Sequence, residues 1–296
     1  MKDHDVLVVG GAGVDTIVKV DSLPLPFRDS IHVGPIVDYV AHTGNGVALG
    51  CQALGLNVKF IDFIGDDEQG RRILARYEET GLDFQYLIHD SGTRRSVNLV
   101  DADGRRLSLY DGRHPADLRM PRDFYLPPLS STRHAHISIM DWARHLYDDA
   151  RELGVTISTD LHDWDGVQDY HRDFAYRSDI VFLSMAAIRG RHEIVMADIL
   201  AKGRARAVVV MAGGEGSYLL VRDADAIVHF GCANVGRKVV DTNGAGDSFV
   251  AAFLSGFLER APWWECMRRG AIGGAYACTW HGTHERFATR TMLMEQ

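Results

Sequence analysis

Asp241-Thr242-Asn243-Gly244-Ala245-Gly246-Asp247 runs without a break into Ser248-Phe-Val-Ala-Ala-Phe-Leu-Ser-Gly-Phe-Leu258. This is a glycine turn opening an apolar helix, with a carboxylate at the junction. Glycine carries no side chain, so backbone there can approach a ligand closely. The N–H groups of Gly244, Ala245 and Gly246 then become the free donors of a helix start, which is where anions bind. Asp247 beside such donors suits phosphoryl transfer to an alcohol: the amides meet the developing charge and the carboxylate takes the hydroxyl proton. A plainer reading makes Asp247 an N-cap and the glycines a turn.

Upstream and downstream of that stretch, short apolar runs alternate with amphipathic ones. Val6-Leu-Val-Val9, Val58 to Ile64, Val155 to Ser158, Ile180 to Leu183, Ala207 to Met211 and Ser217 to Val221 read as strands. Gly46 to Leu54, Asp67 to Thr80, Leu146 to Leu153, Glu193 to Lys202 and 248–259 read as helices, the second capped at Gly81. This alternation predicts a three-layer α/β/α domain around a mostly parallel sheet. Residues 16–21, 31–41 and 95–110 read instead as extended, the last as a hairpin turning at Asp101-Ala-Asp-Gly104. They predict a small β-sheet lid made of 13–42 and 93–115, over a core of 1–12, 43–92 and 116–296. Residues 127–135, with Pro127-Pro128, read as a loose connector.

Composition sets outer bounds. The 296 residues are 46% hydrophobic and 24% charged, the balance of a soluble globular protein, and the net charge of -8 argues against a basic nucleic-acid-binding surface. Cys51, Cys232, Cys266 and Cys278 show no zinc spacing and read as reduced thiols of a cytoplasmic protein. No apolar run is long enough for a membrane span. Gly11-Ala12-Gly13 is not a dinucleotide fingerprint, because its third glycine would fall at Thr16.

Four separated stretches follow one pattern in order: Val8-Val-Gly-Gly-Ala-Gly-Val-Asp15, Phe60-Ile-Asp-Phe-Ile-Gly-Asp-Asp-Glu-Gln-Gly70, Val210-Met-Ala-Gly-Gly-Glu-Gly216 and Asp241 to Asp247. On these the chain resembles the ribokinase-like (PfkB-type) carbohydrate kinases over nearly its whole length. The resemblance implies ATP and Mg2+, and phosphoryl transfer to a hydroxyl of a small sugar. It implies that Asp247 is the base and Gly244, Ala245 and Gly246 the anion hole. Asp15, Gly44, Asn45, His42 and Asn98 fall on the substrate side. Ser184, Gly213, Gly216, Asn243 and Gly282 fall on the ATP side, with Gly282 near the adenine. Asp241 occupies the position of a monovalent-cation ligand, with K+ the candidate. Each assignment has a local alternative: Asp15 as a turn residue, Asp241 bonded to its own turn, Gly213 and Gly216 as chain turns.

Two departures from the family pattern stand out. Ala41-His-Thr-Gly-Asn-Gly46 replaces the family's glycine pair by Ala41-His42 and its asparagine by Gly46, leaving Asn45 one residue early, to reach the sugar or to cap the helix. Ser184-Met-Ala-Ala187 replaces an Asn-x-x-Glu that helps arrange magnesium, and Ala187 offers no ligand atom. Magnesium then depends mainly on the ATP phosphates, and altered metal dependence or weak activity is expected. Arg94, Arg95, Arg105, Arg106 and Arg113 read as a solvated hairpin face, or else as ligands for a phosphate already on the substrate.

A sugar kinase is the leading reading. A nucleoside kinase on the same scaffold, with Tyr39 and Tyr110 as stacking residues, and a non-catalytic sugar- or nucleotide-binding relative are the alternatives. A homodimer through the lid is expected, since a small exposed sheet presents edges and an apolar face.

Overall fold

The computed structural model describes residues 2–224 and 226–295. Its strands are β1 (His4–Val9), β2 (Gly13–Lys19), β3 (Val37–Ala41), β4 (Val58–Ile64), β5 (Asp83–Ile88), β6 (Arg95–Val100) and β7 (Arg106–Asp111), then β8 (Thr132–Ile137), β9 (Thr156–Asp160), β10 (Ile180–Ser184), β11 (Ala207–Met211), β12 (Ser217–Val221) and β13 (Val228–Phe230). The helices are α1 (Thr43–Ala53), α2 (Glu68–Thr80), α3 (Arg122–Ser130), α4 (Leu146–Glu152), α5 (Arg172–Arg177), α6 (His192–Lys202), α7 (Ala245–Leu258), α8 (Trp263–Ala277) and α9 (Arg290–Glu295).

Nine strands form one sheet in the order β13-β12-β11-β10-β9-β8-β1-β4-β5. From β5 to β11 the pairings are parallel, and β12 and β13 close the far edge antiparallel. A parallel sheet buries both faces, and β1 shows why its sequence is a continuous apolar run. Leu7 and Val9 pack with Tyr125, Tyr147 and Phe174 under α3 to α5, while Val6 and Val8 pack with Val47, Phe249 and Phe253 under α1 and α7. The three-layer α/β/α architecture expected above is therefore present. No helix among the described residues is long and apolar enough to cross a membrane.

The other four strands form a second sheet, β3-β2-β6-β7. Its registers align Tyr39 with Asp15, Asp15 with Ser96 and Ser96 with Tyr110. One rung thus carries Tyr39, Asp15, Ser96 and Tyr110 side by side on one face. Arg94, at the entry to β6, is buried and donates to Ala12 O and to the Asp62 carboxylate of β4, which ties the two sheets together.

Two expectations are corrected here. Residues 127–135 are no loose connector. Pro127 and Pro128 lie near the end of the short helix α3, and Thr132–Ile137 is a central strand. Its polar look is deceptive, because His134 and His136 are fully buried and hydrogen-bonded to Thr156 and Ser158 of β9. The extended run 31–41 is a strand only over Val37–Ala41.

Candidate active site

The helix α7 begins at Ala245, with Gly244 in the left-handed conformation (φ 72°) and no side chain capping the end. A Cβ at Gly244 would meet the His284 ring at 2.6 Å, so both conformation and space require glycine here. The N–H of Ala245 makes only a long 3.4 Å contact to Thr242 O, and the first bond back into the helix is Ser248 N–H to Gly244 O. The donors of the first turn are left for an anion. Asp247 lies in that turn, with its side chain 16% exposed, and accepts from His284 Nε2 at 2.7 Å.

The loop after β1 approaches the start of α1 backbone to backbone. Gly44 has no room for a Cβ against Gly10 O, and Asn45 N–H donates to Gly11 O at 3.0 Å. Gly44 is thus required by this close backbone approach. Asn45 does not cap α1: it is fully buried and directs its amide nitrogen to Val40 O (3.2 Å) and His284 Nδ1 (2.9 Å), while its Oδ1 has no partner among the described residues.

Asp15 faces the site from β2. His42 Nε2 lies 3.2 Å from its Oδ1 and 3.2 Å from Ser96 Oγ. Burial alone would raise the Asp15 pKa, but the His42 imidazole 3.2 Å away, with smaller contributions from His284 and Arg106, holds the carboxyl below its usual range. Asn98, two residues beyond Ser96 on the same face, is buried.

In the turn before α7, Asp241 is bonded to its own turn. Its Oδ1 accepts from the Asn243 backbone (3.1 Å) and side chain (2.9 Å), and its Oδ2 lies 3.4 Å from Gly282 N and 3.7 Å from Lys19 Nζ. Asn243 Oδ1 accepts from Arg106 of β7 at 3.2 Å, joining the small sheet to the glycine turn. Gly282 (φ 97°) sits against the Tyr39 ring, 2.6 Å from where its Cβ would be. This places it against β3 of the small sheet. Gly213 (φ 58°) opens free space, while Gly216 (φ 93°) abuts Phe230 O. Ser184 ends β10 and accepts from Ala186 N at 3.2 Å.

The arginine cluster does not act as one. Arg94 is in the core, Arg105 pairs with Asp101 and Arg113 with Asp111, which leaves Arg95, half-buried at the start of β6, and Arg106, which bonds to Asn243 of the glycine turn. Sequence reasoning missed His284, the ring that meets Asp247 at one nitrogen and Asn45 at the other. The available signal was Gly46 in the family's asparagine position, because a Cβ at Gly46 would run into the His284 ring and lie 2.5 Å from Asp247 Cβ.

Behind Asp247 lies a buried polar layer. Burial raises the Asp160 pKa and the Asp247 charge adds to it, against the pull of His162. Burial pushes His136 down to about 4. Among the described residues no group of three or more His, Cys, Asp or Glu is arranged to hold a metal ion.

The sequence pattern of the "pfkB family carbohydrate kinase" matches residues 3–290. The acarbose 7(IV)-phosphotransferase of Actinoplanes sp. (strain ATCC 31044 / CBS 674.73 / SE50/110) is 43% identical, over 99% of each chain. A nucleoside kinase of Methanothermobacter thermautotrophicus is 27% identical over 95% of this chain and 92% of its own. Among solved structures, a microbiome-derived acarbose kinase superposes with a TM-score of 0.91 at 51% identity, covering 98% of both chains. A ribokinase from Giardia lamblia superposes with a TM-score of 0.86 at 15% identity, over 99% of this chain and 98% of that one, and so shares the fold.

Proposed function

The chain belongs to the pfkB family of carbohydrate kinases, and from that footing we propose that it moves the γ-phosphoryl group of ATP onto a primary hydroxyl of an acarbose-like oligosaccharide, with Asp247 as base. The observation that carries the substrate class is the full-length likeness to two proteins whose names give acarbose as the acceptor. The rung Tyr39-Asp15-Ser96-Tyr110 supports it: a carboxylate and a hydroxyl flanked by two aromatic rings suit a sugar ring's polar edge and apolar face.

Each residue has a definite task in this reading. Asp15, ionised through His42, accepts hydrogen bonds from sugar hydroxyls and orients the acceptor. Asp247 takes the proton of the attacking hydroxyl as the bond to phosphorus forms. The first-turn amides of α7, held open by Gly244 and Gly246, stabilise charge on the group in transfer. Arg106 and Asn243 keep the small sheet against the glycine turn, which excludes water that would otherwise hydrolyse ATP. The residues present fit ATP at the open Gly213 turn and the α7 start. Among the described residues no group of side chains is arranged to cage Mg2+; held by the ATP phosphates, the ion would supply charge neutralisation there. Leu107 and Leu109, 49% and 54% exposed on β7, support pairing of two chains through the small sheet, which light scattering tests.

The test is ADP release at saturating ATP and Mg2+ with acarbose, maltotriose, fructose, ribose and a nucleoside as acceptors. Turnover with acarbose or maltotriose at the highest kcat/KM is expected. Turnover with the nucleoside alone would select the nucleoside kinase reading, and none with any acceptor would overturn phosphoryl transfer to sugars.

A further inference from the structure

We propose that His284 is a positioning residue for the base: Asn45 fixes its tautomer, and the ring then holds Asp247 through a neutral N–H in the space that Gly46 leaves open. The inference rests on the reading of Asp247 as base.

The hydrogen-bond inventory sets the proton positions. Val40 O can only accept, so the Asn45 atom facing it at 3.2 Å is the amide nitrogen. That same nitrogen lies 2.9 Å from His284 Nδ1, and an NH2 group only donates, so Nδ1 must accept. A neutral imidazole that accepts at Nδ1 carries its hydrogen on Nε2. Nε2 is 2.7 Å from Asp247 Oδ2 and donates to it. A second proton on Nδ1 would point at the Asn45 amide hydrogens, in a side chain only 1% exposed. The arrangement therefore favours the neutral ring.

This has a chemical consequence. A cationic partner would stabilise the ionised carboxylate and weaken its affinity for a hydroxyl proton. A neutral N–H fixes the carboxylate's orientation with less loss of basicity. With Oδ2 engaged by the ring, Oδ1 is the oxygen left for the acceptor hydroxyl.

Space and backbone point the same way. Where the family has an asparagine, Gly46 has no side chain, and any Cβ there would overlap the His284 ring. His284 itself adopts φ 66°, a conformation rare for residues with a side chain. Its ring stacks on Phe287, with centroids 6.1 Å apart and planes 13° from parallel.

The experiment compares His284→Ala, His284→Gln, Asn45→Asp and Asp247→Asn in steady-state turnover across pH, with acarbose and ATP, after thermal melts of each. His284→Ala is expected to lower kcat about 10- to 100-fold with both KM values within about threefold, the effect of losing a hydrogen bond to a charged group. His284→Gln, which keeps a donor for Asp247 and an acceptor for Asn45, is expected to recover at least half of that loss on a logarithmic scale. Asn45→Asp turns the donor to Nδ1 into an acceptor and favours the imidazolium. It is expected to add a titration through which kcat rises with pH. The inference is overturned if His284→Ala keeps its kcat, if it changes KM alone, if Gln is as poor as Ala, or if Asn45→Asp leaves the pH profile unchanged. Asp247→Asn separates the two readings: full activity there sinks the base, whereas loss there beside an unaffected His284→Ala sinks only the role of His284.

Discussion

His42 Nε2 stands 3.2 Å from Asp15 Oδ1 and, on the same edge of its ring, 3.2 Å from Ser96 Oγ. One imidazole from the loop before α1 thus braces two neighbouring strands of the small sheet. Its backbone has φ 72°, and Gly13 provides the space its ring fills. There are two acid–imidazole pairs, Asp15 with His42 on the small sheet and Asp247 with His284 at the helix start.

Removing the first imidazole should act on sugar recognition. In His42→Ala the Asp15 carboxyl keeps its burial but loses the partner that lowers its pKa, so its pKa rises. The acid limb of kcat/KM for the sugar then moves to higher pH. At about pH 8 the sugar KM should rise about 10-fold with kcat within about threefold, as expected for one charge-assisted hydrogen bond. An unchanged acid limb would show that Asp15 does not depend on His42.

Stability should fall in mild acid for a reason remote from catalysis. Burial pushes His134 to about 3 and His136 to about 4. Below about pH 6.5 the unfolded chain protonates both while the folded protein does not. The unfolded state binds more protons in that window, so stability is full above about 6.5 and falls as pH drops toward the folded values. Each ring contributes a slope of up to about 1.4 kcal/mol per pH unit. Urea unfolding at about pH 7.5 and about pH 5 measures it, and His136→Gln should flatten the dependence. Equal dependence in both proteins would contradict this account.

Arg94→Met should be among the most damaging core substitutions. Asp62 is fully buried, accepts from Ala12 N and Phe63 N, and has Arg94 as its cation. Stranding that charge should cost about 3–5 kcal/mol in urea unfolding. A loss below about 1 kcal/mol would show that the pair is dispensable.

Arg106→Ala should do the reverse. Arg106 is exposed and its bond to Asn243 joins the small sheet to the glycine turn. Stability should hold within about 0.5 kcal/mol, while kcat/KM for the sugar falls about 2- to 10-fold as the small sheet loosens. A lowered melting temperature with unchanged kinetics would assign Arg106 to folding instead.

The strands and helices that carried the family motifs were legible in the sequence because their hydrophobic periods match their burial. Val6–Val9 and the stretch 241–258 are of this kind. What escaped did so for physical reasons. Thr132–Ile137 hides a central strand because its buried side chains are histidines satisfied by Thr156 and Ser158 rather than aliphatics. The helix α8 was missed because Gly270 and Gly273 lower its helical propensity. They are there because a Cβ at either would lie 2.7 Å from Phe249 or 2.6 Å from Ala252 of α7. Asp15, Asp247 and the glycine turn stand out in the sequence because short local motifs mark them. His284 does not, because its contacts to Asn45 and Asp247 span 239 and 37 residues of chain and follow no local spacing.

The central claim is that Asp247 takes the proton of the acceptor hydroxyl. Single-turnover phosphoryl transfer by Asp247→Asn, with ATP binding measured in parallel by calorimetry, tests it most directly. The account predicts a rate lower by about 10²- to 10⁴-fold with ATP affinity within about threefold of the parent protein. A rate within about threefold of the parent, at equal ATP occupancy, would contradict it.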